Sequence, residues 1–98
     1  MSWVVRLTKA AEDDLREARG WYRKEAPHVA PDFRREVRQT HQRIGENPWQ
    51  YPDVHRGVRR ALVHRFPYAI FYRLQEEAVQ VIAITPQARD PEVWKRRV

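Results

Sequence analysis

Alternation opens the chain: Trp3, Val5 and Leu7 fall on one side of a short β-branched run and Val4 and Arg6 on the other, which predicts a strand over residues 2 to 7. The period then changes. Ala11, Leu15, Ala18 and Tyr22 recur at helical spacing, with Thr8 placed to cap the first turn, Glu12, Asp13 and Asp14 near its positive end and Arg23 and Lys24 near its negative end. An amphipathic helix is expected from Thr8 to about Glu25. Gly20 inside it costs about 1 kcal/mol against Ala, which reads either as close packing beside Trp21 or as an ordinary tolerated glycine. Beyond a connection at Pro27 to Pro31, Phe33, Val37, Thr40 and Ile44 mark one face of a second helix, with Arg34, Arg35, Arg38 and Arg43 outside it and Gly45 and Pro48 as its stop. So short a join predicts an antiparallel hairpin.

Residues 45 to 57 hold two of the three glycines and two prolines and read as a loop, which Trp49 and Tyr51 would pin to the body. Three strand-like runs follow: Val58 to Arg65, Tyr68 to Leu74 and Ala78 to Ile84. In the first, Val58, Arg60, Leu62 and His64 share one face, and Arg59, Ala61, Val63 and Arg65 the other. Phe66-Pro67 and Gln75-Glu76-Glu77 are turns short enough to make neighbouring strands antiparallel. The order β-α-α-β-β-β therefore predicts an α+β domain: an N-terminal strand, an antiparallel helical hairpin, then a three-stranded antiparallel meander forming one sheet. The tail after Thr85 has room for one helical turn beginning at Pro91. No internal repeat or low-complexity segment interrupts the pattern.

Composition narrows what such a domain does. Ninety-eight residues suit one core, so a single domain over residues 1–98 is expected. No apolar run approaches the roughly 20 residues of a membrane span, and the first residues lack the order of a signal peptide, so a cytoplasmic protein with no membrane contact is expected. Cysteine is absent, which removes disulfides, thiolate metal sites and thiol nucleophiles, and the single serine is Ser2. The four histidines, His28, His41, His55 and His64, show no ligand spacing, so neither a metal nor another cofactor is expected. The net charge of +6 is unevenly placed: up to His55 there are ten bases and nine acids, after it nine bases and four acids, so the second half carries +5. Sixteen of the nineteen bases are arginines, the residue of forked recognition. A polyanionic or acidic partner follows from this, either nucleic acid or an acidic protein segment. The arginine stripe on the second helix reads as a solvated face or as a nucleic-acid surface.

Several segments together resemble a known family. Ala11, Asp14-Leu15 and Trp21-Tyr22 in the first helix, Asn47-Pro48 after the second and Gly57-Val58-Arg59-Arg60 come first. The run Arg65-Phe66-Pro67-Tyr68-Ala69-Ile70-Phe71-Tyr72-Arg73 and the tail Arg89-Asp90-Pro91-Glu92-Val93-Trp94 follow. In order and spacing they are similar to the RelE/ParE superfamily of bacterial toxin–antitoxin pairs, over almost the whole chain. The resemblance implies a small basic toxin neutralised by a cognate acidic antitoxin. It implies one of two actions: ribosome-dependent cleavage of messenger RNA, or inhibition of DNA gyrase.

The two branches share a fold, so the residues must separate them. A metal-free ribonuclease needs a base, cations for the phosphorane and an acid. The cleaving branch places basic residues at alternating positions on its second strand, an Arg after the aromatic that opens the third, and a basic residue and a Tyr near the end. Here the second strand has Arg60 but Leu62, Ala69 follows Tyr68, and Trp94 stands at the end. Another cleaving branch uses a His near the end of the last strand, where this chain reads Thr85-Pro86-Gln87-Ala88. The expectation is a ParE-like toxin that binds its target, DNA gyrase by family analogy, through Arg59, Arg60, Arg65, Arg73, Arg89, Trp94, Arg96 and Arg97. The alternative is an endoribonuclease acting on the ribosome and its mRNA, with Arg60, His64, Arg65 and Arg89 as its catalytic set. A third reading is a degenerate, non-toxic basic binding module. Trp94 itself is either a target anchor or a residue packing the tail onto the sheet.

Overall fold

The computed structural model describes residues 2–98. Strand β1 spans Val4–Leu7, and helix α1 follows at Lys9–Glu25 because the Thr8 hydroxyl accepts from the Ala11 N–H at 3.1 Å and so satisfies one free donor of the first turn. The four residues spaced for burial, Ala11, Leu15, Ala18 and Tyr22, are all buried. After the join at residues 26–29, α2 (Ala30–Glu46) returns along α1 and buries Phe33, Val37, Thr40 and Ile44. Tyr22 stacks on Phe33 with ring centroids 4.5 Å apart, and Phe66 meets both rings edge-on.

Gly45 lies inside α2 and does not stop it. Its carbonyl accepts from the Trp3 N–H at 2.7 Å, and a Cβ there would stand 3.2 Å from the Trp3 carbonyl oxygen and 3.3 Å from Val5. The missing side chain lets the helix close on β1. The stop is Asn47-Pro48, where Asn47 leaves the helical region at φ −153° and ψ 89°, as the following proline disfavours a helical predecessor. Around Gly20 there is open space, so that glycine is merely tolerated.

The expected three-stranded meander is the centre of a larger sheet. Strands β2 (Asp53–His55), β3 (Val58–Leu62), β4 (Tyr68–Gln75) and β5 (Ala78–Pro86) join β1 in the order β1-β5-β4-β3-β2. β1 runs parallel to β5, and the remaining pairs are antiparallel. β2 falls where a loop is expected because its turn, Arg56-Gly57, lacks the usual Asn or Asp. Both turn residues have positive φ, 47° and 87°. Asp53 stabilises them from upstream, its carboxylate accepting from the His55 and Gly57 N–H groups at 3.1 and 3.0 Å. Of the two aromatics expected to pin this segment, Tyr51 packs on the core while Trp49 is exposed. Pro48 is the buried anchor, its carbonyl accepting from the Tyr72 hydroxyl at 2.6 Å.

The two helices cover one sheet face and, with Ala61, Val63, Ile70, Tyr72, Val79, Val81 and Ile84, form the main core. On the opposite face a smaller cluster of Val58, Ala69, Phe71, Ile82 and Ala83 is covered by Trp94 from the one-turn helix α3 (Glu92–Lys95). A register shift lets β5 turn both Ile82 and Ala83 to this second face. Among the described residues no helix is long and apolar enough to cross a membrane.

One histidine of α2 lies within reach of the Arg19 charge on α1. Burial, and then the Arg19 charge, lowers the pKa of His41 to about 4, and its Nε2 has no hydrogen-bond partner. Because the folded value lies below the ordinary 6.5, the unfolded chain binds the proton more readily and stability falls as pH drops from about 6.5 through 4. Between pH 7 and pH 4 this one group should remove about 3 kcal/mol, and His41→Gln should flatten that part of the profile in denaturant titrations. An unchanged pH dependence in that variant would show that the imidazole is not the group responsible.

Candidate functional site

The face opposite the helices carries a hollow of about 250 Å³ lined by Val54, Arg60, Leu62, Ala69, Phe71, Gln87, Arg89, Pro91 and Trp94. Its making is local. Strand alternation turns Arg60 and Leu62 of β3 and Ala69 and Phe71 of β4 to this face, and β3 and β4 pair Arg60 with Phe71 and Leu62 with Ala69. The chain then leaves β5 at Pro86, and the tail crosses back so that Gln87, Arg89, Pro91 and Trp94 form the other wall. The Gln87 N–H holds that crossing by donating to the Pro67 carbonyl at 2.9 Å.

The positions that the resemblance uses to tell its two branches apart thus meet in one place. The hollow holds Leu62, Ala69 and Trp94 there, with Arg60 and Arg89 as exposed cations at its rim. None of those three apolar side chains moves a proton at neutral pH. His64 and Arg65 are not part of it: β3 ends at Leu62, and both lie in the following turn. Arg65, at φ 71°, turns towards the helices, with its guanidinium 5.9 Å from the Phe66 ring centre and 3.9 Å from Asp32. Burial raises the pKa of the Tyr72 hydroxyl to about 12, but Tyr72 belongs to the helix side.

Several expected contact residues are engaged inside the fold. Arg59 donates to the Trp49 and Tyr51 carbonyls while its guanidinium covers the Trp49 ring at 5.0 Å. Arg73 donates to the Gln80 side chain at 2.9 Å. Trp94 is 4% exposed and stacked on Phe71 at 4.4 Å and 20°, so it packs the tail onto the sheet and leaves only an edge in the hollow. Arg97 forks onto Asp14 of α1 at 2.6 and 3.1 Å and donates to the Ile82 carbonyl at 2.9 Å. Arg60, Arg89 and Arg96 remain exposed. Among the described residues no cluster of His, Asp and Glu gathers as a metal site would require.

A second hollow, unexpected from the chain pattern, lies across the sheet edge beside α1. It measures about 350 Å³ and is lined mainly by Trp21, Tyr22, Tyr68, Pro67 and Pro86, with Glu17 and again Arg89. Trp21 is more than half exposed here. The signal was present in Trp21-Tyr22, whose second ring is buried and whose first is left outside, but nothing in the periodicity brings Pro67 and Pro86 beside them.

A family model, the ParE toxin of the type II toxin–antitoxin system parDE, matches residues 5–91. The chain belongs to the ParE toxin family. In fold, this ParE family member is similar to a chain of the chromosomal ParDE toxin–antitoxin system from P. aeruginosa, with a TM-score of 0.74 at 19% identity over 87% of this chain and 96% of that one. Among curated proteins none matches it in sequence. The match to the family runs from β1 to Pro91, just before the tail helix, and so takes in the hairpin, the aromatic cleft and all of the tail-face hollow except Trp94.

Proposed function

We propose that this ParE family toxin acts in the cytoplasm by binding a protein target, DNA gyrase by analogy with its family, and not by cleaving RNA. The observation that supports this reading is the lining of the hollow on the tail face. A cleaving site would need cations around the phosphorane and groups that exchange protons near neutral pH. Here Leu62, Ala69 and the edge of Trp94 occupy the three positions where the cleaving branch carries such groups. Losing even one stabilising donor of that kind costs about 10²–10³ in rate. What remains, an apolar floor between Arg60 and Arg89, suits docking of an acidic protein surface.

The partner that neutralises it is, on the same reading, an acidic antitoxin encoded beside it. The aromatic cleft at Trp21 and Tyr68 offers an apolar seat, and Arg89 lines both hollows, so an acidic segment in the cleft would also take a cation from the target site. Gyrase supercoiling with purified toxin tests the target. Inhibition is expected, and Arg60→Glu with Arg89→Glu should weaken it at least tenfold while melting stays within a few degrees, because both side chains are exposed. Codon-positioned cuts in messenger RNA from induced cells, abolished by Arg60→Ala, would decide for the ribonuclease instead. A chain that neither harms its host nor captures its acidic neighbour would point to the degenerate module.

A further inference from the structure

The outer surface of the helical hairpin holds a second concentration of arginine, away from both hollows. Arg19 and Arg23 stand one turn apart on α1, and Arg34 and Arg38 one turn apart on α2. Spacing of four residues puts each pair about 6 Å apart along its helix, and packed helix axes lie about 8–10 Å apart, so the four cations form a compact two-by-two array. Among the described residues the ion pairs are Lys9 and Arg16 with Asp13, Arg35 and Arg65 with Asp32, and Arg97 with Asp14. None includes a member of the array. The Arg19 guanidinium is held below its ordinary pKa by burial and then by Arg34, Arg38 and Arg23. Its Nε is buried without a hydrogen-bond partner.

Such an arrangement is costly unless an anion completes it. Four like charges repel one another, and an unsatisfied buried N–H costs about 1–3 kcal/mol. We propose that the array binds the phosphodiester backbone of duplex DNA, without reading its sequence. The choice of a phosphate backbone over an acidic protein helix rests on the lining of the surface. A hollow among Arg19, Arg23 and Arg34 is completed by Pro27, Ala30 and Pro31, and its neighbour by Glu12, Leu15 and Arg16. The exposed large apolar side chains, Val4, Trp21, Trp49, Leu62 and Val98, all lie elsewhere. An amphipathic helix draws its affinity from seats for large apolar side chains, and the apolar part of this surface is only Pro27, Ala30 and Pro31 between the arginines, whereas phosphate binding is dominated by charge and counterion release.

The test uses the purified full chain and a fluorescently labelled 20-base-pair duplex of arbitrary sequence, read by anisotropy from 50 to 200 mM salt. The triple variant Arg23→Gln, Arg34→Gln, Arg38→Gln removes three exposed cations and leaves the partly buried Arg19 in place. Binding should weaken at least tenfold at 100 mM salt, and the slope of log K against log salt should become shallower by about 2–3, at about 0.9 for each phosphate no longer neutralised. Circular dichroism melting within a few degrees of the parent shows the variant folded. A slope and affinity unchanged in the folded triple variant, or duplex binding abolished only by Arg60→Glu and Arg89→Glu, overturns the proposal. So does a polyglutamate peptide that binds the array as tightly as the duplex at equal charge, which would assign the surface to an acidic protein. Because the gyrase assay reads the tail face and this one reads the hairpin, failure of one leaves the other standing.

Discussion

Trp94→Ala should unfold the tail side of this domain. The indole is 4% exposed and stacked against Phe71, with the His55 ring edge-on at 5.8 Å and Ile82, Ala83 and Val58 in the same cluster. Removing a buried tryptophan costs about 3–5 kcal/mol, since the lost transfer free energy is joined by that of the cavity left behind. A domain of this size has only about 5–15 kcal/mol in total, so the melting temperature should fall by about 15–30 °C. Trp94→Phe should recover much of the loss, because one ring can still stack on Phe71. Leu62→Ala, in the same hollow but about half exposed, should change stability by no more than about 0.5 kcal/mol. Any loss of toxicity in Trp94→Ala must therefore be read together with its melting curve. A tryptophan that served only as a target anchor would leave melting near the parent, and that result would refute its assignment to the core.

Trp94, open between two roles in the sequence and buried on Phe71 in the structure, shows where the pattern of a chain stops being informative. Periodicity located both long helices, their buried faces and the three central strands, because each of those signals lies within one element and burial of a stripe is what creates it. Three features were not legible for reasons that involve two or more elements. The neighbour of β1 is decided by the crossover through α1 and α2, and local spacing says nothing of it. β2 owes its turn to Asp53, which lies outside the two turn residues it stabilises. Gly45 looked like a helix stop, since glycine most often ends a helix, yet its value is the close approach of Trp3.

The candidate site divides in the same way. The alternation of β3 placed Arg60 and Leu62 on one face correctly, and the structure adds that Ala69, Arg89 and the edge of Trp94 meet them. Charge alone could not tell a free arginine from a committed one. Arg59 and Arg97 are as basic in the sequence as Arg60 and Arg89, but each spends its donors on backbone carbonyls. A long flexible cation close to the chain end is as able to fasten that end as to reach a partner.

That fastening carries the second large effect. β1 ends at Leu7, opposite Val81, so β5 beyond that point has no neighbouring strand on that side. The Ile82 carbonyl and the Ile84 N–H would be left without partners there. Asp14 accepts from the Ile84 N–H at 3.0 Å, and Arg97 donates both to Asp14 and to the Ile82 carbonyl, so one ion pair closes the open edge and ties the tail to α1. The two side chains are 10% and 23% exposed, unlike the Lys9–Asp13 pair at 76% and 51%. Surface pairs of that second kind are worth about 0–1 kcal/mol. Removing one partner of a fully buried pair costs about 3–5 kcal/mol, and discounting for the partial exposure of Arg97 leaves about 2–3 kcal/mol for Arg97→Ala. Arg97→Lys should cost less, about 1–2 kcal/mol, since it keeps a charge but loses the fork that reaches Asp14 and Ile82 together. Asp14→Asn keeps an oxygen for the Ile84 N–H, so combining it with Arg97→Ala isolates the ion pair. The double variant should be more stable than the sum of the single losses predicts, by at least about 1 kcal/mol. Strict additivity in urea unfolding would mean that the two residues stabilise the domain independently and that the tail is held by Trp94 alone.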